Sequence, residues 1–155
     1  PFVEAAFSFL EKEYQTKVTK GTLNLAQSPF PGKDVNVVIG LSGSLRGQVI
    51  FCLSIETARQ IASRMLCGMQ VDDFDEIAKS AISEMGNIIS GTATTILSQT
   101  GISCIITPPS LLLGQGMSIS FKDMQILVVP LSTDIGEITV LVAVKATEEN
   151  PAQSL

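Results

Sequence analysis

Residues 35–54 read VNVVIGLSGSLRGQVIFCLS, in which two runs rich in Val and Ile flank the turn-forming triplet Ser42-Gly43-Ser44. This pattern is typical of a β-hairpin or of a meander with a short turn. On both sides of it the apolar residues change to helical spacing, over residues 2–15 before it and over residues 57–66 after it. The stretch therefore predicts an antiparallel strand pair flanked by helices.

A longer helix is predicted at about residues 74–100. The acidic run DDFDE at 72–76 lies at its start, where the helix dipole favours negative charge, and Gly101 provides a stop. Further strands are predicted near residues 22–26, 102–107, 117–122, 125–132 and 137–145. Because helices alternate with hairpins rather than with single strands, we expect an α+β fold, a largely antiparallel sheet with helices packed on one face.

The chain of 155 residues has the length of one domain, and no linker-like segment divides residues 1–155. The polar residues 147–155 are expected to form a frayed tail. The sequence also indicates a weak internal repeat, in which Glu4, Phe7 and Pro29 align with Glu84, Asn87 and Pro109. A duplication with a pseudo-two-fold axis is therefore expected, with no chemistry on the first helix. Its strand segments are VVIGLS at 37–42 with LVVPLS at 127–132, and GQVI at 47–50 with GEIT at 136–139.

The composition excludes several classes of partner. Hydrophobic residues make up 45% of the chain and charged residues only 16%, so much of the surface must be uncharged and suited to contact with another molecule. The net charge is −5, and the basic residues are scattered singly, which argues against nucleic-acid binding. No apolar run is long enough for a membrane-spanning helix, and no signal-like segment is visible, so neither membrane insertion nor export is expected.

The chain contains no histidine, which excludes Ser-His-Asp and Cys-His catalysis and every metal site that uses a histidine. The cysteines Cys52, Cys67 and Cys104 have apolar neighbours and no CxxC spacing, so we expect buried structural thiols. Their odd number fits a reducing compartment and predicts a cytoplasmic protein.

Two faces of the long helix differ in character. At 100° per residue, one face is apolar and is expected to be buried; it contains Ala78, Ile82, Met85, Ile89, Thr92, Ala93 and Ile96. A second face has Glu84 as its one charge and no Lys or Arg; it contains Ser80, Glu84, Asn87, Gly91 and Ser98. Residues 85–121 carry no charge at all. The second face is either a docking surface, lowered by Gly86 and Gly91, or a polar edge with two packing glycines.

The segment SAISEMGN at residues 80–87 resembles the Ser/Asp-xxx-Glu-xx-Asn signature of the CheC/CheX/FliY family of chemotaxis phosphatases, which act on the phosphorylated response regulator CheY. The family pattern continues to a proline near the position of Pro108-Pro109. Residues 1–6 and 84–91 resemble the first helix and the active-site helix of the CheX branch, and the single copy of the motif also favours that branch. The resemblance implies a CheC-like fold.

The same resemblance implies roles for individual residues. Asn87 would be the catalytic residue that positions the attacking water, and Glu84 would pair with a lysine of the regulator. Ser80, Gly91 and Pro109 would contact the partner. The partner would be a phosphorylated CheY-like response regulator that supplies its own Mg²⁺, so no metal or cofactor is expected on this chain. A homodimer is also implied, for which the hydrophobic strands at 126–131 and 138–144 are candidates.

Three alternatives remain open on the sequence. A non-catalytic binding module, as in flagellar switch components, shares the fold, but the intact pair Glu84 and Asn87 favours the phosphatase. A dimeric scaffold would instead bury both of these side chains in its interface. A thiol enzyme has the least support, because no histidine is present to activate a cysteine.

Overall fold

The computed structural model describes residues 1–148, and it contains three helices and ten strands there. The helices are α1 (Phe2–Tyr14), α2 (Ile55–Met65) and α3 (Glu76–Gln99). The strands are β1 (Thr19–Lys20), β2 (Asn24–Ala26), β3 (Phe30–Pro31), β4 (Val35–Gly43), β5 (Leu45–Leu53), β6 (Cys104–Ile106), β7 (Ser110–Leu113), β8 (Ser118–Ile119), β9 (Ile126–Thr133) and β10 (Gly136–Ala146).

The main sheet is built around two hairpins. Strands β5 and β10 pair at its centre, β4 lies outside β5, and β9 lies outside β10. The short strands β6 and β7 cover the outer edge of β4, and β1 and β2 cover the outer edge of β9. Every pairing within residues 1–148 is antiparallel, which confirms the predicted α+β class.

The three helices lie on one face of this sheet, as predicted. The main core joins helix residues such as Leu10, Ile61 and Met85 to sheet residues such as Phe51 and Val140, all of them buried. The opposite face carries a second apolar cluster without helix residues, which packs against side chains of the small β3–β8 ribbon and the segment after it. The sheet is therefore sandwiched between a helical layer and a thin ribbon layer.

The pairing pattern is symmetric about the β5–β10 pair, since each hairpin receives two short strands on its outer edge. The predicted repeat also places two glycines in equivalent positions, and both have positive φ angles, 144° at Gly47 and 128° at Gly136. The duplication itself stays a prediction that superposition of the two halves will test. Phe7 is half-buried and lines a groove on α1 together with Glu4, Ser8 and Lys20.

Three short strands, β1, β3 and β7, were not expected from the sequence, and β1 forms by pairing with β9. β7 follows Pro109 directly and is followed by Gly114, so its four residues look like part of a loop. It forms because its residues pair with the start of β4, Leu113 with Val35 and Ser110 with Val38. The even shorter strand β3 forms in the same way, by pairing with β8.

The predicted buried face of α3 is only partly right. Thr92 is exposed and Ile96 is half-buried, whereas the buried residues also include Ala81, Gly86, Ser90 and Leu97. The reason is that α3 packs against α1, α2 and the sheet at once, so its buried arc is wider than the stripe of a helix that contacts a single surface.

The expectation of three buried cysteines is wrong for Cys67, which is exposed, and Cys104 is half-buried. Cys67 adopts a left-handed φ of 58° in the tight turn that ends α2, a turn that leaves its side chain at the surface. Cys52 is buried in the sheet, and its burial raises the pKa of the thiol to about 12.

The strands suggested for dimer contacts, by edge-to-edge or face packing, are excluded only from edge-to-edge contact. β9 pairs with β10 on one side and with β1 and β2 on the other, and β10 lies between β9 and β5. Neither strand therefore offers a free edge to a second chain. The outer edges of the sheet belong to the short strands instead.

The end of the described chain is attached to the sheet. The backbone N–H of Thr147 donates to the carbonyl of Ser44 over 2.9 Å, and its hydroxyl donates to the carbonyl of Gly43 over 2.6 Å. The prediction of a frayed tail from residue 147 is therefore wrong at its first residue, and 149–155 lie outside the described residues. No helix within residues 1–148 has the length and apolar character needed to cross a membrane.

Candidate functional site

Helix α3 holds the candidate site on a rigid support. The carboxylate of Asp75 caps its first turn by accepting a hydrogen bond from the backbone N–H of Ala78 over 2.9 Å. The helix then runs for 24 residues and stops before Gly101, which has a positive φ of 83°. Both predicted end signals are confirmed, and side chains three or four residues apart on this helix lie one above the other.

Glu84 and Asn87 are adjacent on the outer side of α3. Glu84 is exposed and Asn87 is half-buried. Among the hydrogen bonds and ion pairs of residues 1–148, none involves either side chain. A carboxylate and a carboxamide therefore lie one turn apart with their polar atoms available to an incoming molecule.

Four of the hydroxyl groups further along α3, all except that of the buried Ser90, are engaged by the helix itself. Thr92 donates to the carbonyl of Ile88, and Ser98 donates to that of Thr95. Thr94 and Thr95 both donate to the carbonyl of Gly91. These side chains are turned back onto the backbone, so Glu84 and Asn87 differ from them in keeping their polar atoms free.

An open groove lies beside the N-terminal half of α3. Its lining brings Ser80 and Glu84 together with Pro109, which stands between β6 and β7; the remaining lining residues are Glu76, Lys79, Ser83, Leu111 and Leu113. The loop is tied to β4 because the backbone N–H of Gly40 donates to the hydroxyl of Thr107 over 2.8 Å. Three of the predicted site residues thus meet in one groove, and Asn87 follows one helical turn further on.

Five residues of this groove were not predicted as site residues from the sequence: Glu76, Lys79, Ser83, Leu111 and Leu113. Ser83 and Lys79 are neighbours of predicted residues along the helix, so helical geometry offered a signal for them. The two leucines belong to β7, and their place beside α3 depends on the pairing of β7 with β4.

Gly86 and Gly91 play different parts, which corrects the expectation that both lower the docking face. Gly86 is buried and faces the sheet, where an added Cβ would lie 2.6 Å from Cγ1 of Val37. Gly91 is on the outer side, and an added Cβ would meet nothing within 4 Å. Gly86 therefore allows α3 to approach the sheet closely, and Gly91 alone leaves the outer surface low.

The two glycines yield opposite predictions for stability. We expect Gly86→Ala to destabilise the fold by about 1–3 kcal/mol, since Val37 is fully buried and cannot move aside freely. Gly91→Ala should stabilise it by about 0.5–1 kcal/mol through helix propensity. Urea unfolding of both variants measures this, and equal shifts for the two would contradict the assignment.

An α+β domain with three helices on an antiparallel sheet and a Glu-x-x-Asn pair on the outer side of its long helix defines a CheC-like domain. The family model described as chemotaxis phosphatase CheX matches residues 35–132, and the chain belongs to this family. A CheC-like superfamily protein from Shewanella sp. PV-4 has the same fold, with a TM-score of 0.84 and 23% identity over 94% of this chain and 96% of that one.

Two relatives carry functional names. The CheY-P phosphatase CheX of Thermotoga maritima is 39% identical over 82 residues, which cover 53% of this chain and 53% of that protein. The chain thus spans about half the length of this curated relative. The CheX-CheY-BeF3-Mg+2 complex from Borrelia burgdorferi contains a chain that matches with a TM-score of 0.80 and 36% identity, over 94% of this chain and 96% of that chain.

Proposed function

We propose that this protein accelerates hydrolysis of the aspartyl phosphate on a phosphorylated CheY-like response regulator. The observation that carries the proposal is the accessible pair Glu84 and Asn87, one turn apart on α3, in a chain of the CheX family. The relative crystallised together with CheY supports a receiver domain as the partner.

Asn87 is the catalytic residue of the proposal. Hydrolysis of an acyl phosphate requires a water in line with the bond that breaks, and compensation of the charge on the phosphoryl group. A carboxamide both donates and accepts hydrogen bonds, so Asn87 can hold a water by two contacts without a charge that competes for the metal. The contribution of this chain is therefore the position of the water.

Glu84 orients the complex in this mechanism. Its exposed carboxylate has no partner within residues 1–148, and it lies one turn before Asn87, where it can pair with a lysine of the regulator. Ser80 and Pro109 contact the partner from the same groove, and Gly91 allows close approach one turn beyond Asn87. These four residues dock the receiver and do not react.

The charge compensation is assigned to the receiver. Its Mg²⁺ and lysine neutralise the phosphoryl group, and this chain is proposed to bind no metal or cofactor of its own. A cytoplasmic location belongs to the same proposal, since three cysteines, one of them exposed, fit a reducing compartment.

The test is the rate of phosphate loss from a phosphorylated receiver domain, measured with and without this protein in the presence of Mg²⁺. Faster loss with the protein supports the phosphatase. Binding of the phosphorylated receiver without faster loss would instead assign the chain to the non-catalytic binding modules. As a control, the receiver without Mg²⁺ is expected to lose phosphate at the same rate with and without this protein.

Reversal of the charge at Glu84 should weaken docking. We expect Glu84→Lys to raise the KM for the phosphorylated receiver by about tenfold or more, because like charges would meet across the interface. Glu13→Lys, a reversal at an exposed acid on α1, is the matched control and should leave KM unchanged. An unchanged KM in Glu84→Lys would exclude the pairing with a lysine.

A homodimer is also proposed, with its contact at an open edge of the sheet. Short outer strands carry or adjoin apolar side chains that are largely exposed, among them Leu25 at 68% and Ile105 at 71%. Light scattering at tens of micromolar protein should give twice the chain mass. Leu25→Lys and Ile105→Lys, which place a charge on either edge, identify the edge by yielding a monomer. A monomeric wild-type chain would contradict the proposal, and so would a dimer that buries Glu84 and Asn87.

A further inference from the structure

The groove beside Glu84 contains one cation among its lining residues, Lys79. Its ammonium nitrogen lies 2.9 Å from a carboxylate oxygen of Glu76, one turn earlier on α3. The Glu76 side chain is 91% exposed and that of Lys79 is 32% exposed. An ion pair this open to water is weak, so a carboxylate of another molecule can replace Glu76 with little loss.

We propose that Lys79 is a second docking residue, which binds a carboxylate of the receiver domain while Glu84 binds a lysine. This inference rests on the proposed function and names a partner contact of the same site. The related complex of CheX with CheY contains Mg²⁺, and proteins hold Mg²⁺ through one or two carboxylates together with a phosphoryl group, so we expect carboxylates at the phosphorylation site of the receiver. A cation at the edge of the groove is complementary to such carboxylates.

Two docking charges of opposite sign specify the approach of the receiver more closely than one charge does. Residues 85–121 are uncharged, so the charged side chains near Asn87 on this helix lie at its N-terminal side, with Lys79 and Glu84 both in the groove. A second pair of the opposite sign strengthens the docking by Glu84, Ser80, Pro109 and Gly91 and favours one direction of approach. Once the receiver is bound, those four residues hold it against Asn87 without Lys79, so the second pair acts on affinity.

The proposed pair between Lys79 and a carboxylate of the receiver predicts a specific effect on KM and kcat. A docking contact present in both the bound complex and the transition state changes KM and leaves kcat nearly constant. A pair at the rim of an interface also makes association sensitive to salt. The intrachain pair with Glu76 predicts the opposite pattern, because loss of either partner would then have the same effect.

The experiment compares Lys79→Ala, Glu76→Gln and the control Lys145→Ala, an exposed lysine on β10 outside the groove. For Lys79→Ala we expect a KM raised about fivefold, a kcat within about twofold of wild type and a weaker salt dependence. Glu76→Gln should not raise KM, since it frees Lys79 for the receiver. Thermal unfolding shows whether each variant retains the fold.

Two results would overturn the inference: an unchanged KM in Lys79→Ala, or an equal rise in Lys79→Ala and Glu76→Gln. Affinity for a receiver activated by beryllofluoride is measured in parallel, because it does not require catalysis. If the wild-type chain binds that receiver but does not speed phosphate loss, the proposed function fails, and the binding data alone then decide on Lys79.

Discussion

Asn87→Ala is expected to slow the loss of phosphate from a phosphorylated receiver by about 100-fold relative to the wild-type chain, because a misplaced attacking water costs a factor of this order. The substitution removes a carboxamide from a half-buried position on the outer side of α3, and no hydrogen bond within residues 1–148 depends on it. The fold and the affinity for the receiver should therefore persist. The measurement is a comparison of kcat and KM for the two chains.

Two further substitutions test whether the loss of rate is specific to the carboxamide of Asn87. Ser98→Ala, on the same helix, removes a hydroxyl that donates to the backbone carbonyl of Thr95, and it should leave the rate unchanged. Asn87→Asp keeps the shape but loses the N–H donor and adds a negative charge beside the phosphoryl group, so it should be slow as well. If Asn87→Ala hydrolyses at the wild-type rate, the assignment of Asn87 as the residue that positions the water is wrong.

Gly47→Ala should cause the largest loss of stability among the glycine substitutions. Gly47 lies within β5 with a φ of 144°, a conformation that residues with a side chain rarely adopt. A Cβ there would overlap the backbone carbonyl oxygen of Ala143 on the neighbouring strand β10. Since both strands lie at the centre of the sheet, neither backbone can shift. We expect a loss of about 3 kcal/mol or more in the free energy of unfolding.

Gly101→Ala is the matched control for this effect. Gly101 also has a positive φ, 83°, but an added Cβ would meet nothing within 4 Å, so the backbone strain acts alone. Its cost should be about 1–2 kcal/mol. Urea unfolding of both variants separates strain from overlap. A smaller loss in Gly47→Ala than in Gly101→Ala would show that the central strand pair can adjust.

The helices and the long strands could be predicted because their signals are local. The helical spacing of residues 2–15 and the acidic cap at Asp75 determine structure within a few residues of themselves. The short strands β1, β3 and β7 could not be predicted in this way. β7 has four residues, and its strand geometry comes from β4, which lies far away along the chain. The same reason explains the exposed Thr92 and the wide buried arc of α3, because burial depends on every element that packs against the helix.

The sequence by itself determined the pair Glu84 and Asn87, since residues three apart on a helix share a face in any fold. The absence of histidine likewise excluded whole classes of chemistry, because no fold can supply a side chain that the chain lacks. The tertiary structure alone decided that Gly86 faces Val37 whereas Gly91 faces outward, and that Pro109 and β7 form a groove with Glu84 and Lys79. Helical periodicity places a residue on a face, but contacts between segments distant in the chain decide what that face meets.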